Sequence, residues 1–289
     1  MARVKAFLPT AIFCLIMAGC SMKTIALHST AALLDEGAGA IYEEPDPQLA
    51  RESMASQLKL LETLLRSEPE NEKLLVLAAE GFSGYAFLFL EDSESRRAKG
   101  LYLRSRDYAL QALKRQPYFD KLTEQNLDAL EQSLKSAGPN EVPALFWAAF
   151  GWAGSINLSK DSPEALAQLP KAVLIMKRVE ELSPDFHFAG PELFFASYYA
   201  SRPVMLGGDL KKAKFYFQEA ARRTQGRYLM SLVLQARYYA VAAQDKELFK
   251  SLLTQVKESA SGAWPNARLT DEIAKLKASA LLEKTDDFF

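Results

Sequence analysis

The sequence predicts an all-α protein built as an array of stacked helical hairpins, and three observations carry that prediction. From Gln48 onward apolar residues recur at helical spacing, and no run alternates polar with apolar residues as a half-buried strand would. Three amphipathic stretches end alike at a proline: LRSEPEN at Pro69, LKRQPYF at Pro117 and EELSPDF at Pro184. A more apolar helix soon follows each. The third observation is the central stretch Pro143–Arg223, whose helices are apolar around too much of their circumference to lie on a surface.

The chain opens with an export signal. Arg3 and Lys5 form a positive n-region, and Ala6–Met17 is an apolar run too short to span a bilayer as a mature helix. It leads into Ala18-Gly19-Cys20, small residues before a cysteine, as a lipoprotein signal peptidase requires. The expected division is residues 1–19 as signal peptide, 20–47 as lipidated tether and 48–289 as the helical domain. Cys20 is the acylation site, and Ser21 after it favours sorting to the outer membrane. Cys14 leaves with the signal, so the mature chain keeps no thiol for a disulfide, a nucleophile or a metal. Loss of Arg3 and Lys5 takes the formal charge from −1 to −3, which leaves no electrostatic footprint for nucleic acid.

The helices then follow in order. Leu58, Leu61, Leu64 and Leu65 share one face of the first. In the second, Ala78, Ala79, Gly81 and Gly84 allow close approach of a neighbour. Leu101, Tyr108, Ala109, Ala112 and Leu113 mark the third, and Leu122–Ser136 the fourth. Phe146 and Phe150 share a face of the next helix while Trp147 and Trp152 fall to either side, so this helix must be enclosed from several directions. Two helices are expected at Arg227–Ala243 and Lys246–Ser259, and Asp271–Leu282 caps the stack. The final DDFF reads as a frayed end.

The recurring proline is the grammar of tetratricopeptide repeats, in which a B helix ends at proline and the next A helix begins. The clearest unit is the last: Gly207-Gly208-Asp209 forms the turn, Asp209 is the N-cap, and Ala213, Phe217 and Ala220 follow at the spacing A-x3-F-x2-A. The proline spacings, 48 and 67 residues, exceed the ideal 34, so loops are inserted. Helix pairs of this kind bury their faces only by stacking on one another.

Covalent chemistry finds no support in the residues. The two histidines, His28 and His187, have no second nitrogen ligand near them, so no metal site is expected. No cofactor motif stands out, Gly151–Ser155 matches neither a nucleophile elbow nor a phosphate loop, and no carboxylate pair is singled out. The protein is expected not to be an enzyme. Its aromatic excess is informative instead. Phe146, Trp147, Phe150, Trp152, Phe194, Tyr198 and Tyr199 fill a core or line a groove for an apolar ligand or a partner segment. Arg202 could meet a ligand carboxylate through its fork of donors.

The order of a lipobox, the aromatic helix PALFWAAFGWAGSIN, LPKAVLIMKRVEELSPDF and GPELFFASYYASRPVMLGGDLKKAKFYFQEA resembles the tetratricopeptide lipoproteins associated with TRAP transporters, the T component. Resemblance is clearest over 143–220 and looser over 58–118. It implies a periplasmic, lipid-anchored protein working with the solute-binding subunit of a tripartite ATP-independent transporter, and it suggests a trimer with an apolar pore in each subunit. The corresponding function is docking the solute-binding subunit and sheltering or passing an apolar or organic-acid ligand. The alternative is a tetratricopeptide scaffold lipoprotein of outer-membrane assembly that reads peptide segments.

Overall fold

The computed structural model describes Gly37 and residues 39–289, and among them every regular element is helical. The lipidation site Cys20 and most of the tether lie outside the described residues. The chain divides into two units at Ala40/Ile41; of the first, Gly37, Gly39 and Ala40 are described, and they are helical. Everything below concerns the second.

Twelve α-helices are present among the described residues: α1 Pro47–Ser67, α2 Glu72–Tyr85, α3 Ser95–Leu113, α4 Leu127–Lys135, α5 Val142–Asn157, α6 Pro163–Leu166, α7 Leu169–Leu182, α8 Phe186–Ala200, α9 Leu210–Thr224, α10 Met230–Leu234, α11 Lys246–Glu258 and α12 Arg268–Glu283. Two of them run on into π turns, α2 through Ala86–Leu90 and α10 through Gln235–Ala240. Side chains set the starts. Asp46 accepts from the amides of Gln48 and Leu49, Asn71 from Leu74, Asn126 from Ala129, and Asp245 from Leu248. Each cap satisfies donors that a helix start leaves open.

Consecutive helices pack as neighbours: α1 on α2, α2 on α3, α8 on α9, and α11 on α12. The apolar α5 lies at the centre, against α2, α3 and α7, and this is why its rings can point in several directions at once. Leu145, Phe146, Trp147, Ala148, Ala149, Trp152 and Ile156 are all buried there. Between α2 and α3 a buried hydroxyl pair closes without waste: Ser83 donates to Ser105 at 2.6 Å, and Ser105 to the carbonyl of Ala79 at 2.7 Å. The stretch Glu72–Leu90 is long and apolar enough to cross a bilayer, but most of it is buried inside the protein, as a core helix would be.

The last helices return to the first. Helix α12 packs on α1, and Asp92, just after α2, pairs with Arg237 of the α10 π turn at 2.5 Å and with Lys277 of α12. These two cations pull the Asp92 carboxyl below its usual range against the opposing effect of burial.

Two expectations are corrected. The helix placed at Leu122–Ser136 starts only at Leu127, because Asn126 caps it there and Lys121 takes a left-handed φ of 55°. The DDFF end is packed rather than frayed. Phe288 and Phe289 sit 5.7 and 5.3 Å from the buried Phe249 ring, and Asp286 pairs with Lys246 at 2.8 Å. Packing of two half-buried rings against α11 holds a terminus whose local sequence carries no helix signal.

Candidate functional site: an aromatic interior and an exposed tip

The interior cluster forms where α5 meets the start of α8. Helix α7 ends at Ser183-Pro184, and the chain then reverses hand. His187, Phe188 and Ala189 have φ of 47°, 61° and 57°, and the right-handed part of α8 begins at Gly190-Pro191. Left-handed backbone costs about 1–2 kcal/mol per residue with a side chain, so three in a row need strong packing to hold them. Rings provide it. Phe188 stacks on Tyr228 at 4.7 Å with 7° between the planes and meets Trp264 edge-on at 5.4 Å. His187 lies 4.7 Å from Trp147, 5.7 Å from Phe146 and 6.0 Å from Tyr42. Gly190 is needed for this approach, since a Cβ there would come within 2.6 Å of the Phe146 ring.

From Phe146 the cluster runs on through Phe150 at 5.8 Å to Phe87 and Tyr102. Titratable groups in and beside it are strongly shifted. Burial pushes His187 down to about 4, holds Tyr238 up at about 12 and raises Tyr42 well above the ordinary phenol range. Yet all three keep some accessible surface, as do Phe87, Phe150, Phe186 and Phe188. The cluster's polar groups are few. Tyr42 donates to Glu80 at 2.6 Å, and His187 is neutral at neutral pH. The Trp147 Nε1 is buried without a hydrogen-bond partner among the described residues.

A second cluster lies between α8 and α9. Phe195, Tyr199 and Tyr216 stack at 5.4 to 5.8 Å, with Phe194 and Tyr198 beside them. Phe195 is buried, but the other rings are half-exposed, and cations cover two of them: Arg202 over Tyr198 at 5.0 Å and Lys212 over Tyr199 at 5.1 Å. Deeper between the same helices Glu192 is buried against Arg223, 2.6 Å away, with Asp185 on the other side of the guanidinium at 2.9 Å. Burial outweighs Arg223 and pushes the Glu192 carboxyl up to about 7, helped by nearby Glu180 and Asp185.

The α8–α9 turn follows the sequence reading closely. Asp209 accepts from the amides of Lys211 and Lys212 at 2.9 and 3.1 Å. Gly207 takes φ 90°, and a Cβ on Gly208 would lie 1.9 Å from the Arg202 carbonyl oxygen, so no other residue fits. Ala213, Phe217 and Ala220 are buried. Between Pro203 and Gly207 the chain projects Val204, Met205 and Leu206, which are 85%, 89% and 58% exposed.

The rings singled out from sequence therefore separate. Phe146, Trp147 and Phe150 join the interior cluster, whereas Phe194, Tyr198 and Tyr199 belong to the outer one. Trp152 faces elsewhere on α5, under the Arg106 guanidinium at 5.4 Å. Arg202 spends its Nε on the Leu206 carbonyl at 2.9 Å and so braces the turn. Sequence reading placed Tyr42 in the tether, weighed His187 as a metal ligand, and missed Phe87, Phe188, Tyr228 and Trp264. The SPDFHFAGP loop, with three rings between two helix breakers, carried the one usable signal.

The described unit is thus an all-helical protein with a ring-rich interior. Residues 43–289 match the family described as TRAP transporter T-component (TAtT), and the chain belongs to that family. A protein of Treponema pallidum (strain Nichols), described as an uncharacterized protein, is 23% identical over 308 aligned positions covering 96% of this chain and 95% of that one. Family membership implies an accessory component of a TRAP transport system, associated with the other components and with a periplasmic or membrane-associated location.

Proposed function

We propose that the protein is a non-enzymatic, lipid-anchored periplasmic accessory subunit. It docks the solute-binding protein of its transporter and shelters or passes an apolar or organic-acid ligand through the ring-rich interior. The observation that carries this reading is the continuous ring cluster from Phe146 and Trp147 through His187 and Phe188 to Tyr228 and Trp264, in which His187 and Phe188 keep some accessible surface. A ring-rich interior holding few polar groups suits an apolar body, and the neutral, partly accessible His187 offers it a polar contact. Family membership over residues 43–289 supplies the transport context. The helix succession is read as divergent tetratricopeptide-like hairpins, and Cys20 as the anchor in the outer membrane.

Pull-down from extract of the source cells tests the docking. Recovery of a periplasmic solute-binding protein is expected. Recovery of outer-membrane assembly factors in its place would overturn it in favour of the scaffold. Passage is tested by substituting Phe150→Trp, which adds bulk at a partly accessible ring. It is expected to leave docking intact while reducing solute uptake by the reconstituted transporter.

A further inference from the structure

The tip Val204-Met205-Leu206 has no part in the interior. We propose that it is a second membrane contact, an apolar wedge that enters the interface of an anionic bilayer while the lysines beside it hold the headgroups.

Three features point there. The first is exposure: three consecutive apolar side chains at 85%, 89% and 58%, where a solvated turn would carry polar residues. Leu210 and Phe215, 37% and 57% exposed, add apolar surface along the helix that leaves the tip. The second is rigidity. Arg202 Nε donates to the Leu206 carbonyl, the Pro203 carbonyl accepts from Leu206 and Gly208, and the Asp209 amide reaches back to Tyr199. The hydrophobic residues are held outward and cannot fold back to hide.

The third feature is charge. Helix α9 opens with Lys211, Lys212 and Lys214, all exposed, and has no acid in its first turn. Cations at a helix N-terminus oppose its dipole, so local stability argues against all three. Lys212 finds compensation over the Tyr199 ring, whereas the rule broken at Lys211 and Lys214 marks function. Asp209, the one acid in the turn, is committed to capping. Half-exposed Tyr198, Tyr199 and Tyr216 lie just behind, the residue type that settles at headgroup depth. Apolar tip, basic collar and tyrosine belt together match the layers of an anionic interface.

The test places an environment-sensitive fluorophore at Met205→Cys in the full chain reconstituted into vesicles. A second label at Leu60→Cys, on the exposed face of α1, is the comparison, and the unsubstituted chain accounts for label on Cys14 or Cys20. With phosphatidylglycerol present, the label at 205 should shift to the blue and be quenched by a bilayer-borne quencher, while the label at 60 should not. Replacing all anionic lipid by phosphatidylcholine should reduce quenching at least tenfold, and so should K211E/K212E/K214E. That triple change favours the helix dipole, so its effect cannot be assigned to unfolding. No quenching at 205 in anionic vesicles would overturn the proposal. A shift that appears without vesicles and grows with protein concentration would also overturn it, and would make the tip a protein interface.

Discussion

Two groups of rings lie about ten to fifty residues apart in sequence and look alike in composition, yet the protein treats them oppositely. Around His187 the rings enclose one another. Phe146 is 1% exposed, and its neighbours are Trp147, Phe150, Phe186 and His187. Around Tyr198 the tyrosines stay half-exposed, with Arg202 and Lys212 over two of them, and stand behind an exposed apolar tip. The difference lies in what surrounds each helix. Helix α5 has neighbours on three sides, whereas the start of α9 and the turn before it have solvent on one. Aromatic content alone does not specify which arrangement a segment adopts. Burial is set by partners distant in sequence.

The sharpest way to break this comparison is truncation. Phe146→Ala removes the ring on which the left-handed turn leans and should cost about 3–5 kcal/mol. Tyr198→Ala should cost about 1 kcal/mol, because a half-exposed ring under a cation loses little. Urea unfolding of both variants measures the gap. Equal losses would show that the outer rings are core as well.

What the sequence carried follows from the same distinction. Helix ends, the Asp209 cap and the buried Ala213, Phe217 and Ala220 are local in origin, since each depends on residues within one or two turns. Enclosure of α5 was legible because its apolar residues run right round the helix. The interior cluster was not, for Tyr42 meets His187 across 145 positions and Trp264 meets Phe188 across 76, with no local pattern to announce either pairing. The three left-handed residues were equally hidden, because none is a glycine. Phe288 and Phe289 were misread for a like reason: their anchor is Phe249, some forty residues back.

The next effect is one of pH, and the two regions should respond with opposite sign. His187 has its folded pKa lowered by burial from 6.5 to about 4. Its neutral form stabilises fully above pH 6.5, and that stability is lost as pH falls toward 4. Glu192 has its folded pKa raised from 4.5 to about 7, chiefly by burial. Its contribution is complete below pH 4.5 and is lost as pH rises through 7. Each amounts to about 3 kcal/mol, and between pH 4.5 and 6.5 they largely cancel. Urea midpoints should therefore be nearly flat with pH over that window in the native protein. They should fall with rising pH in His187→Gln and rise in Glu192→Gln. A variant pair with parallel slopes would show that the two sites do not titrate as their surroundings dictate.

Smaller again is the turn itself. Gly208→Ala forces a Cβ against the Arg202 carbonyl and should cost about 1–3 kcal/mol through backbone displacement. Part of the loss should appear as faster amide exchange at Leu206 and Gly208, whose donors bond to Pro203. The interior should feel none of it, so exchange at the α5 amides should keep its native rank order.

The smallest effect is expected where exposure is greatest. Val204, Met205 and Leu206 make the turn through their backbone: the carbonyl of Leu206 accepts from Arg202, and its amide donates to Pro203. Their side chains project into solvent. Replacing all three by serine should leave unfolding free energy within about 0.5 kcal/mol of the native value, because transfer of an exposed side chain from water to water contributes nothing to folding. If instead the triple variant lost a kilocalorie or more, the apolar tip would be packed against something in the folded protein, and the contrast between enclosed and projecting rings would collapse at its outer end. Stability unchanged together with altered behaviour at a surface is the outcome that keeps the two regions distinct: one spends its apolar residues on the fold, and the other holds them outside it.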